Sequence, residues 1–333
     1  MTATLRIGFC CLLLFVLPAS VDAANFAQRP EVQDFIREMH EKHGFASAAL
    51  TRAFARTKSL PAVIKAIAPP ADPSTRSWQS YRARFVEQKR IALGLGFWKT
   101  HSSALAKASE RYGVPEEIVV AIIGVETIYG KNSGHFGTLA ALATLAFDYP
   151  EKSSPRATFF RRELEELLLL AREMRRDPLW FTGSYAGALG LPQFLPSSVR
   201  RFAIDGDDDG KVDLAGSPAD AIASVANFLA FHGWEKDAPV TVAAKVNGEG
   251  FARLIAEGIL PQRTPAAMAA FGVEANAAPE LPAALIDLTS PNRETEYWLG
   301  YRNFYVLTRY NRSSFYAMAV NDLAQALKME RGL

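Results

Sequence analysis

One apolar stretch closed by a single acid constrains this chain more than any other feature. Pro115-Glu116-Glu117-Ile118-Val119-Val120-Ala121-Ile122-Ile123 runs into Gly124-Val125-Glu126-Thr127-Ile128-Tyr129-Gly130. Pro115 suits the first turn of a helix, and two acids complement its positive end. A helix that is aliphatic on every side belongs in a core. Ile122 and Ile123 stand at i−4 and i−3 from Glu126, so its carboxyl shares a face with aliphatic side chains. Burial disfavours a charged carboxylate and raises its pKa, as a general acid working near neutral pH requires. A buried glutamate held in an ion pair or capping a turn fits the same stretch equally well.

A chain of 333 residues has room for a large core and for two or three subdomains. Its formal net charge is +2, with both signs interleaved and no basic stripe, which argues against nucleic-acid binding. At the N-terminus, Arg6 precedes the apolar run Phe9-Cys10-Cys11-Leu12-Leu13-Leu14-Phe15-Val16-Leu17, and small residues follow near Ala23 and Ala24. This is the pattern of a secretory signal peptide over residues 1–24, and it predicts export to the periplasm. The run is shorter than the ~20 apolar residues of a membrane span. An uncleaved membrane anchor is the alternative. Cys10 and Cys11 are the chain's two cysteines, so the mature protein is expected to hold no disulfide.

Periodicity predicts helices over Glu31–His43, Ser47–Thr57, Gly137–Phe147, Arg156–Arg176, Pro218–His232 and Ser313–Lys328, and one long helix from Ile91 to Tyr112 that Gly113 ends. Pro69-Pro70-Ala71-Asp72-Pro73 breaks the first helices from the rest. Residues 182–198 are dense in Gly, Ser and Pro, the texture of a sharp bend or of a backbone that a ligand approaches closely. Val240 to Asp287 reads as a small, mainly β insertion. Most aromatics other than those named below, Trp98, Phe147 and Phe231 among them, are expected in the core.

Between these lies the acidic loop Asp205-Gly206-Asp207-Asp208-Asp209-Gly210-Lys211-Val212-Asp213. Oxygen ligands at positions 1, 3 and 5, glycine at 6, a backbone carbonyl at 7 and an apolar residue at 8 form the EF-hand arrangement. Position 12, the usual glutamate, is Gly216, and the next acid is Asp220. The loop predicts one structural calcium, or sodium in its absence, on Asp205, Asp207, Asp209 and the Lys211 carbonyl. No organic cofactor is expected.

An ordered series of short segments now accumulates: Tyr112-Gly113-Val114-Pro115, Gly124-Val125-Glu126-Thr127, Gly183-Ser184-Tyr185-Ala186-Gly187-Ala188, Gln193-Phe194-Leu195-Pro196-Ser197-Ser198, His232-Gly233-Trp234, and Asn303-Phe304-Tyr305 to Tyr310-Asn311. In this order they resemble the lytic murein transglycosylases of the B type. The resemblance covers nearly the whole mature chain. It implies a mainly α (α+β) fold with a lysozyme-like catalytic core over 111–235, after a helical subdomain at 25–110. A small mixed subdomain at 236–295 and a C-terminal return over 296–333 follow.

The resemblance also implies cleavage of the β-1,4 bond between N-acetylmuramic acid and N-acetylglucosamine in peptidoglycan strands, without water. Glu126 would protonate the glycosidic oxygen and then deprotonate the muramyl 6-hydroxyl, closing a 1,6-anhydro ring. Glycosidases ordinarily use two carboxylates; no second acid lies in either signature segment, and linear spacing leaves open one brought near by folding, such as Asp148. By resemblance Ser184 sits near the acid and the muramyl acetamido group. Gln193 bonds sugar, Tyr81, Phe194, Tyr310 and Tyr316 are cleft aromatics, Asn311 is a polar cleft residue, and Asp220 is the last calcium ligand. Arg156 matches a sugar- or peptide-binding arginine, but Glu151-Lys152-Ser153-Ser154 lengthens its loop and Pro155 replaces a second arginine. Phe228 stands where the family has a tyrosine. A monomer acting on glycan strands, accompanied by cell-wall synthesis proteins, is the expected setting. The competing expectations are a muramidase that uses water and a non-catalytic, calcium-dependent glycan-binding scaffold.

Overall fold

Proline starts and glycine stops punctuate a mainly helical chain, of which the computed structural model describes residues 25–68, 76–151 and 154–332. The expected signal peptide, Cys10, Cys11 and the Pro69–Pro73 break lie outside the described residues. The chain divides into two units, Met1–Ser59 and Leu60–Leu333. In the first, α1 (Pro30–His43) and α2 (Ser47–Ala55) pack Phe35 edge-on against Phe54 at 6.0 Å. Val32, Phe35, Ile36 and Met39 are buried at the predicted helical spacing, and left-handed Gly44 ends α1.

The second unit runs α3 (Pro61–Ile67), α4 (Trp78–Ala83), α5 (Gln88–Thr100), α6 (Ser102–Tyr112), α7 (Glu116–Thr127), β1 (Phe136–Gly137), α8 (Thr138–Phe147), α9 (Pro155–Glu173), β2 (Thr182–Gly183), α10 (Pro196–Phe202) and α11 (Pro218–Phe231). It continues through β3 (Thr241–Val246), α12 (Ala252–Ala256), α13 (Pro265–Ala269), β4 (Val273–Glu274), β5 (Ala284–Leu288), β6 (Glu296–Gly300), α14 (Arg302–Tyr310) and α15 (Ser314–Glu330). The single helix expected from Ile91 to Tyr112 is therefore two. His101 leaves helical geometry at ψ 23° while Thr100 turns its hydroxyl back to Gly96 O at 2.9 Å. A run of Thr, His and Ser offers side-chain bonds that compete with the helix. Pro115 is the cap of α7 rather than its first turn, with ψ at 142°.

α7 is buried from Ile118 to Val125, as its all-round apolar character requires. Helices α5, α6, α11 and α15 pack around it, while α8 lies on α9 and α10 on α9. Strands β1 and β2 pair antiparallel, Phe136 opposite Gly183, which ties the chain after α7 to the Gly/Ser-rich segment. The second sheet is antiparallel in the order β4-β3-β6-β5. Its register sets Val242 and Leu285 on either side of Leu299, over a core of Leu254, Met268, Val273 and Tyr301. The β region thus reaches past the predicted end at Asp287. β6, expected in the C-terminal return, is an inner strand, and the insertion carries two short helices besides. Among the described residues, no helix is long and apolar enough to cross a membrane.

Candidate active site

Glu126 is the penultimate residue of α7 and is half-buried. After Thr127 closes the helix, the backbone takes three consecutive left-handed residues, Ile128 (φ 52°), Tyr129 (φ 57°) and Gly130 (φ 85°). For the non-glycine pair this geometry costs of the order of 1–3 kcal/mol per residue, so the surroundings must hold it. They do so through Ile128 N–H to Gly124 O at 3.1 Å and Asn132 N–H to Thr127 O at 2.9 Å. The buried Thr127 hydroxyl donates to Leu191 O at 3.0 Å and accepts from Gly130 N–H at 3.0 Å. Behind the turn, buried Arg90 donates to the carbonyls of Gly124 and Arg84. The Tyr129 hydroxyl rests where a Cβ on Gly94 or Gly124 would stand 2.3 or 2.4 Å away. Both glycines make room for this ring.

The opposite wall comes from the end of the chain. Tyr316, in the first turn of α15, donates its hydroxyl to Glu126 Oε1 at 2.7 Å. The Tyr310 ring lies parallel to it, centroids 6.3 Å apart, and sends its own hydroxyl to Pro192 O at 2.6 Å. Burial pushes the Glu126 carboxyl up to about 7, and the Tyr316 hydrogen bond opposes part of that rise. No cation pairs with Glu126 among the described residues, so the ion-pair reading of this glutamate finds no support. Burial, and next the charge of Glu126, raise the hydroxyls of Tyr81, Tyr310 and Tyr316 above their ordinary value. These three rings therefore lie within the electrostatic reach of the acid.

The Gly/Ser-rich segment folds into a tight loop facing the end of α7. A Cβ on Gly183 would meet Ala188 O at 2.0 Å, so glycine alone permits the turn that Ser184 starts. Ser184 N–H reaches Ala188 O at 2.9 Å and its hydroxyl oxygen accepts Ala188 N–H at 3.1 Å, which leaves the hydroxyl proton for another acceptor. Gln193, left-handed at φ 53°, donates its amide to Ser133 O at 3.2 Å and Gly190 O at 2.9 Å. Its nitrogen braces the loop, and only its side-chain oxygen is left to face a ligand.

The remaining expected site residues divide between the cleft and its supports. Tyr81 and Tyr310 are half-buried, and Asn311 is exposed where α14 ends. Phe194 and Tyr316, the other two expected cleft aromatics, are each 2% exposed. Phe194 packs on Phe228 and Tyr310 at 5.6 and 5.7 Å and so supports the tyrosine above it. Phe228 is buried among rings, which suits its lack of a hydroxyl. Arg156 is exposed at the start of α9, over the Tyr149 ring at 5.9 Å. Trp98 and Phe147 are core as expected, but Phe231 is 56% exposed beneath Arg201, which corrects its assignment.

Sequence reasoning missed the supports: Arg90, Thr127, Tyr129 and Glu163. Glu163, 5% exposed, accepts the N–H and hydroxyl of Ser197 at 3.0 and 2.7 Å and pins the start of α10. A glutamate on the apolar face of α9 was the one available signal. Tyr185, next to Ser184, is 39% exposed.

In the acidic loop, Asp205, Asp207 and Asp209 each bring a carboxylate oxygen to within 4.8 Å of the others. Three carboxylates this close repel one another unless a cation sits among them. An all-oxygen set fits a hard ion such as calcium. Lys211 N–H donates to Asp209 Oδ1 at 2.8 Å, which fixes the position-7 backbone beside the cluster. Asp220, the expected last ligand, is 1% exposed and accepts Gly206 N–H at 2.8 Å and Asp213 N–H at 2.6 Å, outside the cluster of three. A carboxylate so engaged clamps the loop to α11.

Comparison with known proteins extends this geometry to nearly the whole chain. The family model of the transglycosylase SLT domain matches residues 27–325. Membrane-bound lytic murein transglycosylase B of Escherichia coli K12 is 39% identical over 322 residues, 92% of this chain and 85% of that protein. The crystal structure of the soluble lytic transglycosylase SltB1 from Pseudomonas aeruginosa superposes with a TM-score of 0.84 at 43% identity, covering 91% of this chain and all of that one. A structure of the Escherichia coli lytic transglycosylase Slt35 in complex with calcium gives a TM-score of 0.79 at 39% identity, over 93% and 96% of the two chains. The chain belongs to the transglycosylase SLT domain family.

Proposed function

We propose that this lytic murein transglycosylase cleaves the β-1,4 bond between N-acetylmuramic acid and N-acetylglucosamine with a single carboxyl, Glu126, acting as acid and then as base. Protonated Glu126 gives its proton to the glycosidic oxygen as the bond to C1 breaks, and the N-acetylglucosamine leaves with a free 4-hydroxyl. The carboxylate then takes the proton of the muramyl 6-hydroxyl while that oxygen bonds C1. The ring closes as a 1,6-anhydro sugar and Glu126 regains its proton, so no water is consumed. What carries this reading is the carboxyl pushed up to about 7 by burial, with the Tyr316 hydroxyl placed to steady its charged form. Ser184, whose hydroxyl keeps a proton to donate, is the proposed partner of the muramyl acetamido group. Tyr81, Tyr310, Asn311 and the Gln193 side-chain oxygen are the proposed sugar contacts, Tyr316 and Phe194 acting from beneath.

Asp205, Asp207, Asp209 and the Lys211 carbonyl are proposed to hold one structural calcium. The N-terminal pattern supports export to the periplasm, where a monomer would meet glycan strands. Digestion of purified sacculi tests the chemistry: 1,6-anhydromuramyl ends are expected, and mainly reducing ends would mean a hydrolytic muramidase. Glu126→Gln should abolish turnover while glycan binding persists. A fully active variant would remove Glu126 from its role and favour a scaffold.

A further inference from the structure

Against the first turn of α15 lies a second, polar cavity of about 320 Å³, lined by Arg76, Asp287, Thr289, Arg312, Ser313 and Phe315 among others. It adjoins the active site through two consecutive residues. Phe315 faces the cavity and packs its ring on Tyr81 at 5.7 Å, while Tyr316 carries the hydroxyl that holds Glu126. A ligand over the acid and a ligand in this cavity would therefore be separated by a single turn of helix.

The charges in the cavity are what need explaining. The Arg76 guanidinium lies 4.4 Å over the Phe315 ring and donates to Ser313 Oγ at 3.1 Å, so one edge of the fork is fixed. Arg312 is exposed, and neither arginine, nor Asp287 on β5, has an ion-pair partner among the described residues. Two guanidiniums and one carboxylate around a hollow match a ligand with more than one anionic group and one cationic group. Planar guanidiniums suit carboxylates, and a stacked one is already oriented for the bond. N-acetylglucosamine carries no charge and a peptide-free N-acetylmuramic acid only its one lactyl carboxylate, so bare glycan does not match two guanidiniums and a carboxylate together. Peptides carried on the lactyl carboxyl of muramic acid do, since they contain several carboxylates and, at a diamino acid, a free ammonium. A hollow of this size sits at the small end of ligand sites and suits two or three residues of peptide.

We propose that this cavity binds the peptide stem of the muramyl residue being cleaved, with stem carboxylates on Arg76 and Arg312 and the diamino-acid ammonium on Asp287. The proposal rests on the transglycosylase reading for its connection to turnover, but not for the binding itself. Two measurements keep these apart. The first compares the full-length protein with Arg312→Ala and Arg76→Ala on peptide-bearing glycan strands and on strands stripped of peptide by an amidase, following anhydro-ended products. On peptide-bearing strands kcat/KM should fall by about tenfold per arginine, the scale of one charge-assisted contact, and stay unchanged on stripped strands. Equal loss on both substrates, or no loss on either, overturns the proposal. The second titrates free stem tetrapeptide into Glu126→Gln protein by calorimetry and needs no turnover. Binding should weaken in Arg312→Ala. Acetylating the peptide's amine should weaken it in the otherwise unaltered protein but not in Asp287→Asn. Failure of the tetrapeptide to bind, or inorganic phosphate binding equally well, overturns the peptide assignment even where anhydro ends are formed.

Discussion

Glu126 holds its proton near neutral pH because its carboxyl is desolvated, and one hydroxyl limits how far that goes. The Tyr316 hydrogen bond stabilises the carboxylate, so Tyr316→Phe should raise the carboxyl above about 7. In the proposed mechanism the reaction begins from protonated Glu126, so kcat/KM should decline as pH rises through about 7, and in Tyr316→Phe that decline should move to higher pH with a lower maximum. A pH–rate profile reads both, and an unmoved alkaline limb would remove Tyr316 from this role. The same shift has a stability consequence. The folded-state value of about 7 lies above the ordinary 4.5, so the carboxyl's contribution to stability is complete below about pH 4.5 and is lost as pH rises through about 7. That difference is of the order of 3 kcal/mol. Glu126→Gln removes the burdensome charge and should raise the melting temperature at pH 8 while leaving it nearly unchanged at pH 4.

At the scale of elements, the active site is a helix end pinned to a loop. Thr127 joins α7 to Leu191, Tyr310 joins α14 to Pro192, and β1 joins β2, so the Ser184 turn is fixed on three sides. The acidic loop is built on the same plan, with Asp220 of α11 holding the backbone at Gly206 and Asp213 while three other aspartates converge. These roles separate in thermal unfolding with calcium and with a chelator. Asp207→Ala should abolish a calcium-induced rise in melting temperature. Asp220→Ala should lower the melting temperature in both conditions, by a loss of about 1–3 kcal/mol for unpaired backbone N–H groups. No calcium response in the unaltered protein, by melting or by calorimetry, would remove the metal.

Across the whole molecule, the acid and the hydroxyl that steadies it are 190 residues apart in sequence. They meet because α15 packs along α7. A chain ending at Arg312 lacks α15 and should lose the cooperative melting transition seen by circular dichroism. Sharp, wild-type-like melting would show that the core does not depend on this return. Such long-range closure is also the part least visible from the sequence. Helix periodicity announced α1 and α9, and the left-handed glycines at 44 and 113 ended helices where expected. Local signals failed where local chemistry competed with the helix, as at His101, and where a strand's partners lay far away, as for β6.

By itself, the sequence determined which residue types stand in which order: a glutamate ending an apolar helix, a glycine-permitted turn before Ser184, and aspartates at EF-hand spacing. Those are properties of neighbours along the chain, set by backbone geometry and periodicity. The tertiary structure alone decided that Tyr316 bonds the acid, that the Phe194 ring is buried against Phe228 and Tyr310, and that Asp220 accepts the N–H groups of Gly206 and Asp213. Burial and hydrogen bonding depend on which distant segments come together, and linear spacing carries no record of that.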